Sequence, residues 1–308
     1  GRDSTILSFD GTRANEPLMT VAARNNVWLR GFKLDCQSAN GTIATSTRAA
    51  GIALKQVPTN CRIDDVWIYD AGRHALVIDT GEQIDIEDLR ISSGCVSSAI
   101  LCGQNQLSNG WGASGTLKNI AFENILITDV LSDAFGVWNV SGIDSDQVSA
   151  RINVDNLIVR NWGIAGGIGY AWWTGGASGT YPVDVNLNNF NFDNGGAGST
   201  NQGRGFHLEV GDGINASNGN ISNLITGADA PVSDEKLGYA ISLSGGNRIN
   251  MSNITIRNVG IGVLTQGSSN VNFDNIHVNT CRYQAFYICS NDLTFTNCTG
   301  RQDGSVSS

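Results

Sequence analysis

The eight residues Ile120-Ala121-Phe122-Glu123-Asn124-Ile125-Leu126-Ile127 carry the pattern that decides the fold. Apolar residues stand at alternate positions on both sides of Asn124, but Phe122 and Ile125 are three residues apart. Alternation with a period of two indicates strands that bury one face. The chain must therefore bend at Asn124 to keep both apolar sets on one side, and Asn tolerates the left-handed conformation that such a bend needs.

The same pattern recurs along almost the whole chain, with Asn, Asp or Gly at the central position, which we call the anchor. We expect ten anchors, at Gly31, Asp65, Asp88, Asn124, Asn156, Asn189, Asn223, Asn253, Asn275 and Asn297. Their spacing varies between 22 and 36 residues. A unit that repeats at this length is typical of a solenoid, in which each repeat buries its apolar face against its neighbours.

A third apolar alternation follows a second turn in most repeats, as in Gly136-Val137-Trp138 and Gly205-Phe206-His207-Leu208. Three strands close a coil, so the sequence predicts an all-β, right-handed parallel β-helix of ten to eleven coils. At one strand spacing of about 4.8 Å per coil, the rod is on the order of 50 Å long. A β-propeller needs four strands per repeat and a leucine-rich repeat needs a helical half, and neither fits repeats of such variable length.

The opening segment Arg2-Asp3-Ser4-Thr5-Ile6-Leu7-Ser8-Phe9-Asp10-Gly11 resembles the first coil of the pectate-lyase-like β-helix superfamily, and the resemblance extends over all ten coils. This superfamily includes phage tailspikes, polysaccharide lyases and epimerases. The resemblance implies a polysaccharide partner, an extracellular location (secreted or on a virion) and, from the tailspikes, a homotrimer. Because its members are hydrolases, lyases, epimerases or plain binders, the resemblance specifies the fold and leaves the chemistry open.

The composition limits the class of partner. The formal net charge is −9, with 19 Lys and Arg against 28 Asp and Glu, which excludes the clustered cations of a nucleic-acid-binding surface. No apolar run reaches the roughly 18 residues of a membrane span. The negative charge also favours a neutral or mixed polysaccharide over a polyuronate.

The sequence also bears on the domain organisation and on the state of the cysteines. Nothing in the sequence looks like a linker, so we expect one β-helix domain over residues 1–308, with capping or attachment segments supplied from outside it. The seven cysteines contain no Cys-x-x-Cys pair, which argues against a structural zinc site. We expect at most one or two disulfides, for instance between Cys95 and Cys102.

The candidate site lies in the long coils, between residues 124 and 240. This segment is rich in aromatic residues, and aromatic faces stack on sugar rings. We expect contacts with a glycan from Trp138, Tyr170, Trp172, Trp173 and, four positions after an anchor, Arg160. The alternative is that each tryptophan only packs against the base of its own loop.

The acid and base candidates lie in the same coils. His207 and Glu209 are two apart in a strand and therefore share its outer face, and Asp212 follows directly. Asp144 and Asp146 stand in the loop after Trp138 and form a second carboxylate pair. Such a pair suits Ca²⁺, although no cofactor is required, and a solvated acidic turn is the simpler interpretation.

These features predict a polysaccharide-degrading enzyme, a glycoside hydrolase that uses paired carboxylates in a groove over coils 124–240. General acid and base catalysis needs two ionisable groups flanking the scissile bond, and their separation sets the stereochemical outcome. The alternatives are a polysaccharide lyase or epimerase, and a glycan-binding tailspike or fibre protein without catalysis.

Overall fold

The structure, a computed structural model, is a parallel β-helix. It describes residues 5–8, 17–36, 50–103, 117–139, 149–164, 168–176, 182–196, 202–224 and 238–303. All ladders between its strands are parallel. Within the described residues the strands are β1 (Ile6–Ser8), β2 (Met19–Ala22), β3 (Trp28–Asp35), β4 (Ala50–Lys55), β5 (Thr59–Ala71), β6 (His74–Ile78), β7 (Gly81–Glu87), β8 (Arg90–Gly94), β9 (Ser98–Gly103), β10 (Leu117–Val130), β11 (Asp133–Asn139), β12 (Ser149–Trp162), β13 (Ile168–Gly176), β14 (Val183–Gly195), β15 (Gln202–Leu208), β16 (Asp212–Ser222), β17 (Tyr239–Leu243), β18 (Asn247–Arg257), β19 (Val259–Gln266), β20 (Ser269–Cys289), β21 (Leu293–Thr296) and β22 (Thr299–Gln302).

Two series of strands build the solenoid. The anchor strands run from β1 and β3 through β5, β7, β8, β10, β12, β14, β16 and β18 to β20, β21 and β22. The other series, β2, β4, β6, β9, β11, β13, β15, β17, β19 and the end of β20, forms what we call the closing sheet. A coil consists of one closing strand and one anchor strand or, in the coil between β5 and β10, of one closing strand and the two shorter anchor strands β7 and β8. This is the fold that the resemblance to the pectate-lyase-like superfamily implies.

Left-handed bends divide each anchor strand into short segments. In β10 the bends fall at Asn119, Asn124 and Asp129, each with φ of 57°. The same spacing of five residues recurs in the neighbouring coils, for example at Arg151, Asn156 and Asn161. Every bend turns the strand so that apolar side chains on both sides of it remain inside the coil.

Side-chain amides connect the bends from coil to coil. Asn156 Nδ2 donates to Asn124 Oδ1 at 2.8 Å, and Asn161 Nδ2 donates to Asp129 Oδ1 at 2.8 Å. A further ladder lies on the outer face of the anchor strands, at distances of 2.8 to 2.9 Å, and joins Asn153, Asn186, Asn215 and Asn250. The bonds between the bends satisfy polar groups of residues whose backbone conformation is otherwise unfavourable, whereas the residues of the further ladder have ordinary strand conformation.

One of the ten expected anchors was wrong. The residue that aligns with Asn189 and Asn253 is Asn218, with φ of 56°, because Ser217 pairs with Asn188 on one side and with Ser252 on the other. Asn223 occupies the later bend and donates to Asp193. Gly219 stands where other coils carry an apolar side chain, and this hides the pattern in the sequence.

A side chain of the neighbouring coil fills the space beside Gly219. A methyl group placed on Gly219 would overlap the ring of Phe190, which is buried to 3% exposure in the coil below. Phe190 therefore supplies the apolar volume that the seventh coil lacks. The core keeps its packing density although one coil contributes no side chain at this point.

A single apolar core runs through the coils and contains no disulfide among the described residues. Its largest fully buried side chains include Trp162, Trp172, Phe122 and Phe135. All seven cysteines are free, so the expected disulfides are absent, including the one between Cys95 and Cys102. Burial raises the pKa of the Cys36 thiol to about 12, which keeps this thiol protonated and unreactive at neutral pH.

We expect the Gly219→Ala substitution to lower the free energy of unfolding by about 1 to 3 kcal/mol, because the added methyl group overpacks the core against the Phe190 ring. Chemical denaturation of both proteins measures the loss. The Gly219→Ala/Phe190→Leu double variant is expected to recover part of it, since the smaller side chain makes room. A double variant whose loss equals the sum of the two single losses would contradict this packing relationship.

Candidate functional site

The outer face of the closing sheet, opposite the core, carries the candidate site. The inward positions of its strands are Val137, Phe206, Leu208 and Ile241, all buried in the core as the alternation predicts. Trp172 also points inward: it pairs with Phe206, is fully buried, and stacks on Phe135 at 4.7 Å. The structure therefore corrects the expectation that Trp172 contacts a glycan, because no ligand reaches its ring.

The next residue of the same strand points the other way and belongs to a stack of rings on the outer face. The ring centroids of Trp173 and Trp138 are 4.4 Å apart, with an interplanar angle of 30°. Tyr170 continues the stack, 6.1 Å from Trp173 and 4.9 Å from the ring of His207. Trp138, Tyr170 and Trp173 are all half-buried, so each retains exposed ring surface.

Gly175 has no side chain and therefore leaves room on this face for the side chains of neighbouring coils. Trp138 and Gly175 are partners in neighbouring strands, and a methyl group placed on Gly175 would overlap the Trp138 ring and lie 2.9 Å from Glu209 Oε2. The ring and the carboxylate thus reach over the same glycine from the coils on either side. Glu209 is exposed and lies at the edge of the ring stack.

A second carboxyl group, which the sequence analysis did not single out, lies on the other side of Tyr170. Asp133 Oδ1 accepts a hydrogen bond of 3.0 Å from the Tyr170 backbone N–H, and the Ser98 side chain also hydrogen-bonds to this carboxylate. Burial disfavours the charged form and raises the pKa of Asp133 to about 7, although both hydrogen bonds lower it. Asp133 is therefore partly protonated at neutral pH.

The charges of both carboxylates affect the hydroxyl group of Tyr170. Its pKa is raised, first by burial and then by the charges of Asp133 and Glu209, whereas the nearby Arg204 opposes the increase. The hydroxyl consequently stays protonated at neutral pH and can donate a hydrogen bond. Tyr170 thus supplies a hydroxyl donor on a face that also carries the carboxyl groups of Asp133 and Glu209.

His207 is neutral in this environment. It is 6% exposed, and burial, together with the positive charge of Arg204, lowers its pKa to about 3. The Ser242 backbone raises the pKa of His207 and so opposes this decrease. His207 Nδ1 makes no hydrogen bond of normal geometry. His207 lies on the outer side of the strand as expected, yet it cannot exchange a proton as an imidazolium near pH 7.

Arg204 lies between two tyrosines. Its guanidinium carbon is 5.6 Å from the centroid of Tyr170 and 5.2 Å from that of Tyr239. Its Nε is buried without a hydrogen-bond partner among the described residues. An anchored cation with an unused donor suits an oxygen-rich ligand, a sugar hydroxyl or an acidic substituent.

Asp212 does not form a carboxylate pair with Glu209. It lies beyond the turn, at the start of β16, where Arg248 holds both of its oxygens at 2.7 Å. The hydrogen bond and charge of Arg248 lower the pKa of Asp212. This carboxylate therefore has a structural partner, and the expectation that it serves as an acid or base beside Glu209 is corrected.

The remaining candidates are not part of the ring stack. Arg160 is exposed on anchor strand β12, where it pairs in register with Asp193, and thus lies outside the closing sheet. Asp144 and Asp146 fall outside the described residues, so the Ca²⁺ site stays a prediction. No group of three or more metal-binding side chains occurs among the residues that the structure describes. Those residues also include no helix long and apolar enough to span a membrane.

Asp133 and Arg204 were not predicted from the sequence, because the recognisable alternation of the closing strands begins only at Gly136 and Gly205. Asp133 lies three residues before Gly136 and is in register with Ser98, and Arg204 directly precedes Gly205 and is in register with Tyr170. Ser98, Asp133, Tyr170 and Arg204 occupy equivalent positions in four successive closing strands. This row of polar residues is the signal that would have identified Asp133 and Arg204.

Comparisons with known proteins concern the fold alone. No protein-family model matches the chain, and neither does the sequence of any curated protein. The catalytic unit of a GH87 α-1,3-glucanase from Streptomyces thermodiastaticus aligns with a TM-score of 0.48 and 10% identity, over 91% of this chain and 49% of the glucanase. The Dettilon tailspike protein aligns with a TM-score of 0.40 and 11% identity, over 96% and 61%.

A third similar structure is an endo-xylogalacturonan hydrolase from Aspergillus tubingensis, with a TM-score of 0.38 and 9% identity, over 97% of this chain and 92% of the hydrolase. The chain thus spans about half of the glucanase structure and about three fifths of the tailspike structure.

We expect the Asp133→Asn substitution to change how stability depends on pH. The folded state holds the Asp133 proton more tightly than the unfolded state, so this residue's contribution to stability is complete below pH 4 and is lost as the pH rises towards 7. The shift of about three units corresponds to up to about 4 kcal/mol.

The free energies of unfolding of both proteins between pH 3 and pH 8 measure this difference. Relative to Asp133→Asn, the wild type should lose stability between pH 4 and pH 7. Two curves that run parallel over this interval would show that Asp133 ionises normally.

Proposed function

We propose that the protein binds a polysaccharide on the outer face of the closing sheet and hydrolyses it there. The observation that carries the proposal is the stack of Trp138, Trp173 and Tyr170, flanked by the two carboxyl groups of Asp133 and Glu209. Stacked rings with exposed faces suit the apolar faces of sugars, and polar groups at their edges suit the hydroxyls.

The two carboxyl groups differ in the way that acid and base catalysis requires. Asp133, with its pKa raised to about 7, holds a proton that it can donate to the glycosidic oxygen as the bond to the anomeric carbon breaks. The exposed Glu209 can accept a proton from the water that attacks this carbon. Each product then carries a hydroxyl group, and the enzyme is restored when Glu209 releases its proton to solvent and Asp133 takes one up.

The neutral groups between the carboxylates position the sugar. Tyr170 keeps its hydroxyl proton, and neutral His207 stacks on its ring and leaves Nδ1 without a regular partner. Hydrogen bonds from groups that are already held in place stabilise a transition state without reorganisation. We therefore assign both residues to substrate orientation and not to proton transfer.

Two specific observations favour alternative functions. The partial burial of Asp133 favours a glycan-binding protein without catalysis, because a half-buried acid that already accepts two hydrogen bonds is hard to bring to a substrate oxygen. Arg204, with its unused Nε, favours elimination or epimerisation on an acidic sugar, since both reactions need a cation to neutralise the substrate carboxylate. Any of these activities on polysaccharides fits an extracellular protein, secreted or virion-borne, and we propose that location along with the homotrimer of tailspike relatives.

We expect the Trp173→Ala and Trp138→Ala substitutions each to weaken polysaccharide binding at least tenfold, a loss of about 1.4 kcal/mol, because each removes a face of the ring stack. Affinity electrophoresis in gels containing neutral or acidic plant, algal and capsular polysaccharides measures binding. Trp67→Ala is the matched control, since Trp67 lies on anchor strand β5, where its indole contacts Tyr69 and Lys33. Equal retention of all four proteins on every retained polysaccharide would contradict the proposed surface.

We expect the Glu209→Gln substitution to lower the rate of cleavage by about 10² to 10⁴, with binding nearly unchanged, because the amide cannot accept the proton from water. New reducing ends report hydrolysis, and absorbance of unsaturated uronyl groups reports elimination. Glu123→Gln, at an exposed glutamate of anchor strand β10, is the control. Cleavage at the wild-type rate by Glu209→Gln removes this residue from catalysis, and binding without any cleavage by the wild type leaves only the glycan-binding alternative.

A further inference from the structure

A buried histidine that the proposed reaction does not use belongs to the row of polar residues around Asp133. His74 is 2% exposed. Strand β6 pairs with β9 at Leu76 and Ile100, which places His74 beside Ser98, and Ser98 in turn pairs with Asp133. The three polar residues therefore occupy equivalent positions in three successive closing strands, about 4.8 Å apart from one coil to the next.

Both ring nitrogens of His74 have hydrogen-bond partners. Arg73 Nε donates to His74 Nε2 at 3.2 Å, and His74 Nδ1 donates to the backbone oxygen of Ser98 at 2.7 Å. Only one tautomer fits, because a guanidinium nitrogen cannot accept and a carbonyl oxygen cannot donate. Burial lowers the pKa of His74 to about 4, so the ring is neutral at physiological pH and keeps this tautomer. His74 thus holds the backbone of Ser98 in place.

Ser98 connects His74 to the carboxyl group of Asp133. It is 2% exposed, and its hydroxyl group hydrogen-bonds to Asp133. Gly136 leaves room beside this hydroxyl, since a methyl group placed on it would lie 3.3 Å from Ser98 Oγ. The backbone of Ser98 is therefore bound by the preceding coil, whereas its side chain binds the following one.

Asp133 receives hydrogen bonds from the coils on both sides. Ser98 binds it from one side, and from the other the Tyr170 backbone N–H donates to Oδ1 at 3.0 Å. Asp133 is only half-buried, so part of its side chain remains in contact with solvent. Groups that hold a reacting side chain without touching the substrate determine how precisely it is placed. The carboxyl group cannot rotate here without losing a hydrogen bond.

We infer that Ser98 and His74 are positioning residues for Asp133, because their hydrogen bonds fix the orientation of its carboxyl group. Since Asp133 is the proton donor of the proposed function, this role rests on that function. A histidine that only filled space would be unfavourable, because a buried imidazole costs free energy unless its nitrogens are paired, and an apolar side chain fills the volume without that cost. The group that Ser98 binds in the next coil accounts for the buried pair.

The first measurement is the pKa of Asp133, obtained by carbon-13 NMR of the side-chain carboxyl groups and assigned with Asp133→Asn. Ser98→Ala removes a hydrogen bond to the charged carboxylate, which should raise this pKa from about 7 by about one unit. The substitution leaves the other ionisable groups around Asp133 in place, namely Arg73, His74, Tyr170, Arg204, His207 and Glu209.

Ser92→Ala is the matched control, since the Ser92 hydroxyl accepts a hydrogen bond from Trp67 Nε1 on the anchor strands. It should leave the pKa of Asp133 unchanged. An Asp133 pKa that is the same in Ser98→Ala as in the wild type overturns the inference.

The second measurement is the pH dependence of cleavage, with the polysaccharide that the wild type cleaves fastest among neutral and acidic plant, algal and capsular polysaccharides. A proton donor must be protonated, so the rate falls as the pH rises through the pKa of Asp133. In Ser98→Ala this decline should move to higher pH by the same amount, and kcat below it should fall about tenfold with KM within about twofold of the wild type. A raised pKa without either change in the rate shows a purely structural hydrogen bond and overturns the inference.

Two polar substitutions test His74 separately. His74→Asn keeps an N–H near the position of Nδ1, which faces Ser98, whereas His74→Gln places its N–H near the position of Nε2. We expect kcat to fall about tenfold in His74→Gln and to stay within about threefold of the wild type in His74→Asn. Equal kcat in the two variants overturns the role of His74.

Failure of the proposed function gives a different result. If the wild type cleaves none of the polysaccharides, that function is overturned, and the positioning role with it. The NMR titration still reports in that case whether Ser98 binds Asp133.

Discussion

The structure depends on one conformational constraint, a left-handed backbone bend that recurs at intervals of five residues in the anchor strands. Ordinary residues adopt this conformation at a cost of about 1 to 2 kcal/mol, and Asn, Asp and Gly adopt it most readily. The bend keeps apolar side chains inside the coil on both of its sides. Since the bends of successive coils lie above one another, the side chains that tolerate them also meet, and their amides bond from coil to coil. Backbone conformation and side-chain bonding therefore select the same residue types.

The fixed register of the coils is also what assembles the candidate site. Trp172 and Trp173 are adjacent in sequence, yet one stacks on Phe135 in the core and the other on Trp138 at the surface. Strands β11 and β13 thus each contribute to two stacks of rings, one on each side of the sheet. Asp133, Tyr170 and Glu209 come from three successive coils, and they meet because a solenoid places residues that are more than thirty positions apart at neighbouring heights.

The sequence was sufficient for the fold because the bend and the alternation leave a local signature, as around Asn124. The sequence was insufficient wherever the position of a residue depends on a side chain from a neighbouring coil. Phe190 of the coil below fills the space beside Gly219, so the anchor Asn218 could not be recognised from its own surroundings. Trp172 could have been assigned inward by alignment with Phe206, whereas the pairing of Asp212 with Arg248 joins residues of two coils whose charges carry no periodic pattern. The raised pKa of Asp133 depends on burial, which only the assembled coils create.

The amide ladders give the rod a polarity. In each bonded pair the amide nitrogen of the later coil donates to the oxygen of the earlier one, as Asn161 does to Asp129, Asn194 to Asn161, and Asn258 to Asn223. These bonds point the same way along the axis, so their dipoles add, as peptide dipoles do in a helix. The ladders present donors towards the first coil and acceptors towards the last. A segment that extends them at the first coil must accept hydrogen bonds, and one that extends them at the last coil must donate, so the two ends are not interchangeable.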